Sequence, residues 1–125
     1  MTEILIIDDD PYSMEILTTR LLHKGCTVLK ATDGITGIML ADKHQPDMIL
    51  LDLQLPDING YEVLQRIRMR DSISHIPVIA ISVDMVDRKL EKQTDEHFDN
   101  FLIKPVMADY LFESMAKSGI DLRTE

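Results

Sequence analysis

Residues Asp47–Leu64 read DMILLDLQLPDINGYEVL and contain a predicted strand, a turn and the start of a predicted helix. The apolar run Met48–Leu51 is short and continuous, which is typical of a strand buried on both faces of a parallel sheet. Asp52 follows the run directly, and Asn59-Gly60 supplies turn chemistry ahead of a helix that begins near Tyr61. A buried strand therefore ends at a carboxylate, and the chain then turns into a helix.

The same alternation of short apolar runs and amphipathic stretches extends along the whole chain. The predicted strands are Ile4–Ile7, Cys26–Lys30 (the weakest), Met48–Leu51, Val78–Ile81 and Phe101–Ile103. The first predicted helix begins at Pro11, with Asp10 as its N-cap, and ends at Gly25. The other predicted helices cover Ile35–His44, Tyr61–Arg68, Met85–Glu96 and Val106–Ser118. This order predicts an α/β fold, a doubly wound five-stranded parallel sheet with helices on both faces.

Composition limits the classes of function. A chain of 125 residues has the length of one domain, which we expect over residues 1–118 with a short tail at 119–125. The 22 acidic against 13 basic side chains give a formal charge of -9, which argues against direct nucleic-acid or anionic-membrane contact and favours a cation. The lone Cys26 and apolar runs of at most four residues predict a cytoplasmic protein without a membrane span or signal peptide.

Polar side chains follow four of the predicted strands. They are Asp8 and Asp9, Asp52, Ser82 and Lys104. The carboxyl ends of parallel strands meet at one edge of a sheet, so we expect these side chains to lie close together. At about 5 Å and an effective dielectric near 20, each pair of carboxylates repels by roughly 3 kcal/mol, so a proton or a cation must relieve the cluster.

The make-up of this set predicts its chemistry. Carboxylate oxygens without nearby His or Cys suit a hard divalent ion, Mg²⁺ before Ca²⁺. A phosphoryl group entering the site would meet metal, ammonium and hydroxyl, which together stabilise charge in phosphoryl transfer. Because the nearest nucleophile is a carboxylate, we expect an aspartyl phosphate as product.

Four segments together make the chain similar to a known family. The segments ILIIDDD, LLDLQLPDINGYEVL, PVIAIS and FLIKP, in this order and spacing, resemble the receiver domain of bacterial two-component response regulators over essentially the whole length. The resemblance implies a flavodoxin-like (βα)5 sheet with strand order 2-1-3-4-5. It also implies a phosphorelay signalling switch that catalyses only its own phosphorylation and dephosphorylation.

The resemblance implies a role for each residue of the metal site. Asp52 matches the phosphoacceptor. Asp9 and Asp52 would bind Mg²⁺ directly with the backbone carbonyl of Gln54 as a third ligand, and Asp8 would act through a metal-bound water.

The resemblance also implies the remaining catalytic and switch residues. Ser82 matches the switch hydroxyl, Lys104 the phosphoryl-binding lysine and Phe101 the switch aromatic. The donor would be a phosphohistidine on a sensor histidine kinase or a histidine phosphotransfer protein. The output would be a downstream target protein, bound by the surface of the fourth helix, fifth strand and fifth helix of a monomer or weak homodimer.

Three positions depart from the family pattern. Val83 stands where a small residue is usual, which predicts narrower access to the site. His97-Phe98 replaces the common Gly-Ala, which predicts different packing of that loop, and Phe101 lacks the frequent tyrosine hydroxyl. These positions bear on rate and output rather than on the acid cluster.

Other readings of the same residues remain open. A phosphatase with an aspartyl nucleophile wants a second acid two residues on, where this chain has Gln54, and a flavin domain would place a phosphate beside Asp8–Asp10, which repel it. A receiver-like module that is never phosphorylated is disfavoured by Ser82 and Lys104. The chain is expected to be either a stand-alone receiver, which Met1 mildly favours, or a fragment of a longer regulator.

Overall fold

Five parallel strands form one sheet in the computed structural model, which describes residues 1–83, 98–120 and 122. The strands are β1 (Glu3–Ile7), β2 (Thr27–Ala31), β3 (Met48–Asp52), β4 (Val78–Ser82) and β5 (Asn100–Ile103). The helices of the described residues are α1 (Pro11–His23), α2 (Gly34–His44), α3 (Gly60–Arg68) and α4 (Ala108–Lys117). The order across the sheet is β2-β1-β3-β4-β5, so the predicted fold and strand order are confirmed. The helix predicted over Met85–Glu96 lies outside the described residues.

The hydrophobic core lies on both faces of the sheet. Alternate residues of each strand point to opposite faces, so Ile4 and Ile6 belong to one cluster and Leu5 and Ile7 to the other. Helices α1 and α4 cover the face of Ile4, and α2 and α3 cover the face of Leu5. Because the central strands β1, β3 and β4 are buried on both sides, their sequences are continuous apolar runs.

Polar side chains set where the helices begin. Asp10, Asp33 and Asn59 precede α1, α2 and α3, and each accepts a hydrogen bond from a backbone N–H of the first turn. Gly25 follows α1 with a φ of 87°, a left-handed conformation that favours glycine at a helix end. The fifth helix was predicted from Val106, but α4 begins at Ala108, and the Met107 side chain is 56% exposed rather than packed.

Strand register sets the height of each strand end. Ile7 of β1 lies level with Leu51 of β3, so the next residues, Asp8 and Asp52, lie level as well. Ser82 closes β4 opposite Ile103 of β5, which places Lys104 one residue beyond. The four polar strand ends therefore share one edge of the sheet. None of the helices in the described ranges is long and apolar enough to cross a membrane.

Candidate functional site

Three carboxylates meet at the carboxyl edge of the sheet. Asp8 and Asp52 are buried, at 0% and 5% exposure, while Asp9 is exposed. One oxygen from each lies within 4.8 Å of the others. The convergence expected from the strand ends is therefore present, and at this spacing each pair of charges repels by about 3 kcal/mol at an effective dielectric near 20.

Lys104 bridges the two buried carboxylates. Its Nζ lies 3.0 Å from Oδ2 of Asp52 and 3.0 Å from Oδ2 of Asp8. The backbone N–H of Lys104 donates to the carbonyl of Ser82 at 2.8 Å, which holds the lysine beside the end of β4. The Lys104 side chain is 12% exposed, so water screens these ion pairs only weakly. One lysine offsets one of the three negative charges.

The pKa values show how the charges are balanced. Burial raises the pKa of Asp52 to about 6, and the neighbouring Asp8 adds to the rise. The backbone N–H of Gln54, which donates to Oδ1 of Asp52 at 3.0 Å, and the ammonium of Lys104 oppose it. Burial alone would lower the pKa of Lys104, but Asp52 and Asp8 outweigh it and raise that pKa above its ordinary value. The Gln54 N–H and the Lys104 ammonium thus do not fully offset the effect of burial on the pKa of Asp52.

The residues present fit a metal ion. Oδ2 of Asp8 is buried and accepts no hydrogen bond from any described residue, although the Lys104 ammonium faces it. The converging atoms are all carboxylate oxygens, which are the ligands that hard divalent cations prefer. The cluster Asp8, Asp9 and Asp52 could therefore hold such an ion.

An open cleft of about 380 Å³ lies over the carboxylates. Gln54 and Val83 line it together with Asp9, Asp52 and Lys104. Val83 is 61% exposed and lines this cleft. The narrower access predicted from Val83 stays a prediction.

The two predicted switch residues lie on neighbouring strands. Ser82 is buried at the end of β4. Phe101 is half-buried in β5 and pairs with Ala80 of β4. Its ring centroid lies 6.4 Å from that of Phe98, which in turn lies 5.8 Å from that of Tyr61, both pairs edge-on. Phe98, one of the positions that depart from the family pattern, therefore packs against Tyr61 of α3. His97 lies outside the described residues.

Sequence reasoning missed one residue of this edge, Asp57. Its two carboxylate oxygens accept hydrogen bonds from the backbone N–H groups of Gly34 and Ile35, each at 2.8 Å. The local sequence Pro56-Asp57-Ile58 indicates only a turn, because the partners of Asp57 lie 22 and 23 residues away. The pair Asp33-Gly34 could have predicted the N-cap of α2, but not this second carboxylate.

Comparison with known proteins identifies the class. The family model of the response regulator receiver domain matches residues 4–116, and the chain therefore belongs to this family. It is a receiver domain of two-component systems, homologous to phosphoacceptor response regulators, and its acidic pocket of Asp8, Asp9 and Asp52 matches the phosphorylation site.

Individual relatives agree with this class. The chain is 40% identical over 106 residues to the DNA-binding dual master transcriptional regulator RpaA of Synechocystis, a match that covers 84% of this chain but 44% of RpaA. It is 33% identical over 117 residues to PilH of Pseudomonas aeruginosa, covering 92% of this chain and 95% of PilH. The chain thus spans less than half of one relative and nearly all of the other.

A solved structure with a bound metal ion shares the fold. The receiver domain of the sensor histidine kinase PA1611 from Pseudomonas aeruginosa superposes with a TM-score of 0.85 at 27% identity, covering 94% of this chain and 98% of that one. That structure has a magnesium ion coordinated in its active site cleft.

Proposed function

We propose that Asp52 accepts a phosphoryl group from a phosphohistidine of a sensor histidine kinase or a histidine phosphotransfer protein, with Mg²⁺ as cofactor. The observation that carries this proposal is the position of Lys104, 3.0 Å from both Asp8 and Asp52 in a pocket of three converging carboxylates. The receiver would occupy residues 1–118, followed by a short tail at 119–125. A cytoplasmic setting agrees with the single, buried Cys26, which has no second cysteine in the sequence to pair with.

The carboxylates and one backbone group would hold the metal. Asp9 and Asp52 would bind Mg²⁺ directly, the backbone carbonyl of Gln54 would be the third protein ligand, and Asp8 would act through a metal-bound water. When bound, the ion supplies the positive charge that three carboxylates and one ammonium lack, and it offsets charge on the phosphoryl oxygens.

The side chains of the pocket would carry out the transfer. A carboxylate oxygen of Asp52 forms a bond to phosphorus while the bond between phosphorus and the donor imidazole nitrogen breaks, and that nitrogen keeps the electron pair. With a pKa of about 6, Asp52 is mostly ionised at neutral pH and is available as nucleophile. Lys104 and Ser82 bind the oxygens of the arriving group. The chain acts only on its own Asp52, in phosphorylation and in the later hydrolysis.

The phosphoryl group would then change a surface. Ser82 donates its hydroxyl to a phosphoryl oxygen, and Phe101 moves toward the space that Ser82 leaves. Because Ser82 and Phe101 lie on adjacent paired strands, a small shift at one strand end can reach the other. Phosphorylation thereby shifts the population of conformations of the surface made by α4, β5 and the predicted segment Met85–Glu96. A target protein binds one of these conformations preferentially. The net charge of -9 favours a protein target over nucleic acid.

The test follows the intact mass of the protein with Mg²⁺ and acetyl phosphate. The wild type should gain the mass of one phosphoryl group, and Asp52→Asn should gain none. Asp10→Asn is the matched control: Asp10 also lines the cleft but is not one of the three converging carboxylates. Its side chain caps α1 through the Tyr12 N–H, a role that asparagine fills equally well. Asp10→Asn should therefore be phosphorylated like the wild type.

Two results would count against the proposal. One is failure of the wild type to take up phosphoryl groups from both acetyl phosphate and a phosphorylated kinase; the kinase arm is needed because Val83 stands at the cleft. The other is repeated hydrolysis of a general phosphomonoester, which would favour a phosphatase.

A further inference from the structure

The loop between β3 and α3, residues 53–59, carries Gln54 two residues after Asp52. Its ends are joined to the core by the backbone: the N–H of Leu53 donates to the carbonyl of Ile81 at 3.1 Å, and the N–H of Gly60 donates to that of Leu53 at 3.0 Å. Between these points the loop runs outward to Asp57, which is exposed. What holds this outer part affects where Gln54 lies.

Asp57 fastens the outer part of the loop to another helix. Its Oδ1 accepts the N–H of Gly34 and its Oδ2 accepts the N–H of Ile35, each at 2.8 Å. These are the first two residues of α2, where the N–H groups have no partner within the helix and the helix dipole is positive. The two hydrogen bonds lower the pKa of Asp57 to about 2, so the carboxylate is ionised across the neutral range.

Close packing beneath these hydrogen bonds seats the loop on α2. A Cβ added to Gly34 would lie 2.7 Å from Cγ1 of Ile58 and 2.7 Å from Cγ2 of Val63. The backbone of Gly34 therefore touches the residue next to Asp57 without an intervening side chain. The contact between the loop and α2 thus combines two hydrogen bonds to a carboxylate at the surface with apolar packing beneath them.

We propose that Asp57 is a positioning residue for phosphorylation at Asp52, because it fastens the loop to α2 and so sets the place of Gln54. The N–H of Gln54 donates to Oδ1 of Asp52 at 3.0 Å, so any shift of the loop changes a direct partner of the phosphoacceptor. The inference rests on the proposed function, in which the carbonyl of the same residue binds Mg²⁺. Groups that orient a metal ligand typically change metal affinity or activity by about 10- to 100-fold when removed.

Asp33 is a matched control on the same helix. Its Oδ1 accepts the N–H of Thr36 at 2.7 Å and its Oδ2 accepts the hydroxyl of Thr36 at 3.0 Å. Asp33 and Asp57 thus both stabilise the N-terminus of α2 with one negative charge each. Only Asp57 comes from the loop that carries Gln54, so removing Asp33 weakens the helix and leaves that loop attached.

The experiment compares Asp57→Ala with Asp33→Ala in the full chain at a temperature where both are folded. Magnesium affinity is measured by calorimetry, and the rate constant for phosphorylation is measured over a range of acetyl phosphate and Mg²⁺ concentrations. Asp57→Ala should weaken magnesium binding and slow phosphorylation about tenfold, at the lower end of the effects of such groups. Asp33→Ala should stay within about twofold of wild type in both, as expected of a change away from the site, although its melting temperature falls.

Equal effects of the two variants on magnesium affinity and rate would overturn the inference and leave Asp57 as a helix cap alone. If Asp57→Ala does not fold, Asp57→Asn and Asp33→Asn replace the alanine variants, because each keeps the shape and one acceptor; the same ranking is expected with a smaller difference. A wild type that takes up no phosphoryl group would instead contradict the proposed function, so the two failures are distinct.

Discussion

Two groups of aspartates at the same edge of the sheet have opposite electrostatics. In the pocket, Asp8 and Asp52 are buried, face each other and share one ammonium, and the pKa of Asp52 rises to about 6. At the start of α2, Asp33 and Asp57 face backbone N–H groups, and the pKa of Asp57 falls to about 2. Residue type is the same in both places, while the balance of donors and burial differs.

The difference separates a reactive carboxylate from a structural one. Asp57 has a hydrogen-bond donor for each oxygen, so its charge is satisfied and it has little tendency to take up a proton or a cation. The pocket has more negative charge than donors, so its carboxylates gain by binding a cation. Each of the following changes alters one side of this comparison.

Removing the ammonium of the pocket should have the largest effect. Lys104→Met keeps much of the side-chain volume but leaves Asp8 and Asp52 without their shared cation. Phosphorylation should slow about 100-fold, the effect typical of losing one charged donor to a transition state. Intact mass against time measures it. Lys117→Met is the control, because Lys117 pairs only with Glu113 on the surface of α4 in the described structure, and it should react at the wild-type rate.

Filling the apolar contact beneath Asp57 should have the next largest effect. Gly34→Ala places a methyl group 2.7 Å from side-chain carbons of Ile58 and Val63, so the loop must move away from α2. Overpacking of this kind typically costs 1–3 kcal/mol, and we expect about 2 kcal/mol less unfolding free energy in urea. The double variant Gly34→Ala/Ile58→Ala should lose less unfolding free energy than the sum of the two single-variant losses, since both substitutions alter the same contact. Strict additivity would show that the contact is not shared.

Magnesium affinity should distinguish neighbouring acids. Asp9→Asn removes a carboxylate of the converging cluster, whereas Asp10→Asn removes one that caps α1. We expect Asp9→Asn to weaken magnesium binding about tenfold or more and Asp10→Asn to change it little. Titration calorimetry measures both, and equal affinities would place the ion away from the cluster.

The raised pKa of Asp52 predicts that replacing this residue by asparagine stabilises the metal-free protein at neutral pH. In the folded state its pKa is about 6 against an ordinary 3.8, so the metal-free wild type loses stability as the pH rises between these values. Asp52→Asn should therefore be more stable than wild type in EDTA at pH 7.5 and equal to it near pH 4. The difference in pKa already includes the attraction of Lys104 for the ionised carboxylate, and it bounds the gain at about 3 kcal/mol.

Asp57→Asn should have the opposite sign, which makes it the sharpest control. Its folded pKa of about 2 lies below the ordinary 3.8, so its stabilising effect is present above pH 4 and is lost as the pH falls through 2. Asp57→Asn should thus melt below the wild type at neutral pH and approach it as the pH falls below 2. Thermal melts of both variants across pH test the comparison; shifts of the same sign would contradict it.

The strands could be predicted from sequence because burial on both faces leaves a local signature. Met48–Leu51 predicted β3, and the observed strand Met48–Asp52 differs by one residue. Apolar side chains on helices were less informative. Met107 has helical spacing with Leu111, yet its side chain is exposed because α4 begins one residue later. Helix periodicity predicts an apolar face, but packing against the sheet decides which residues it buries.

The local sequence predicts which chemical groups this receiver carries and on which strand ends they lie, because strands and turns depend on neighbours a few residues apart. Tertiary structure alone decided which of these groups touch. Lys104 reaches Asp8 across 96 residues and Asp52 across 52, and Asp57 reaches α2 across 22 and 23. Such pairs depend on strand register and on how each helix packs against the sheet. Those are set by close packing of the whole core rather than by any local pattern.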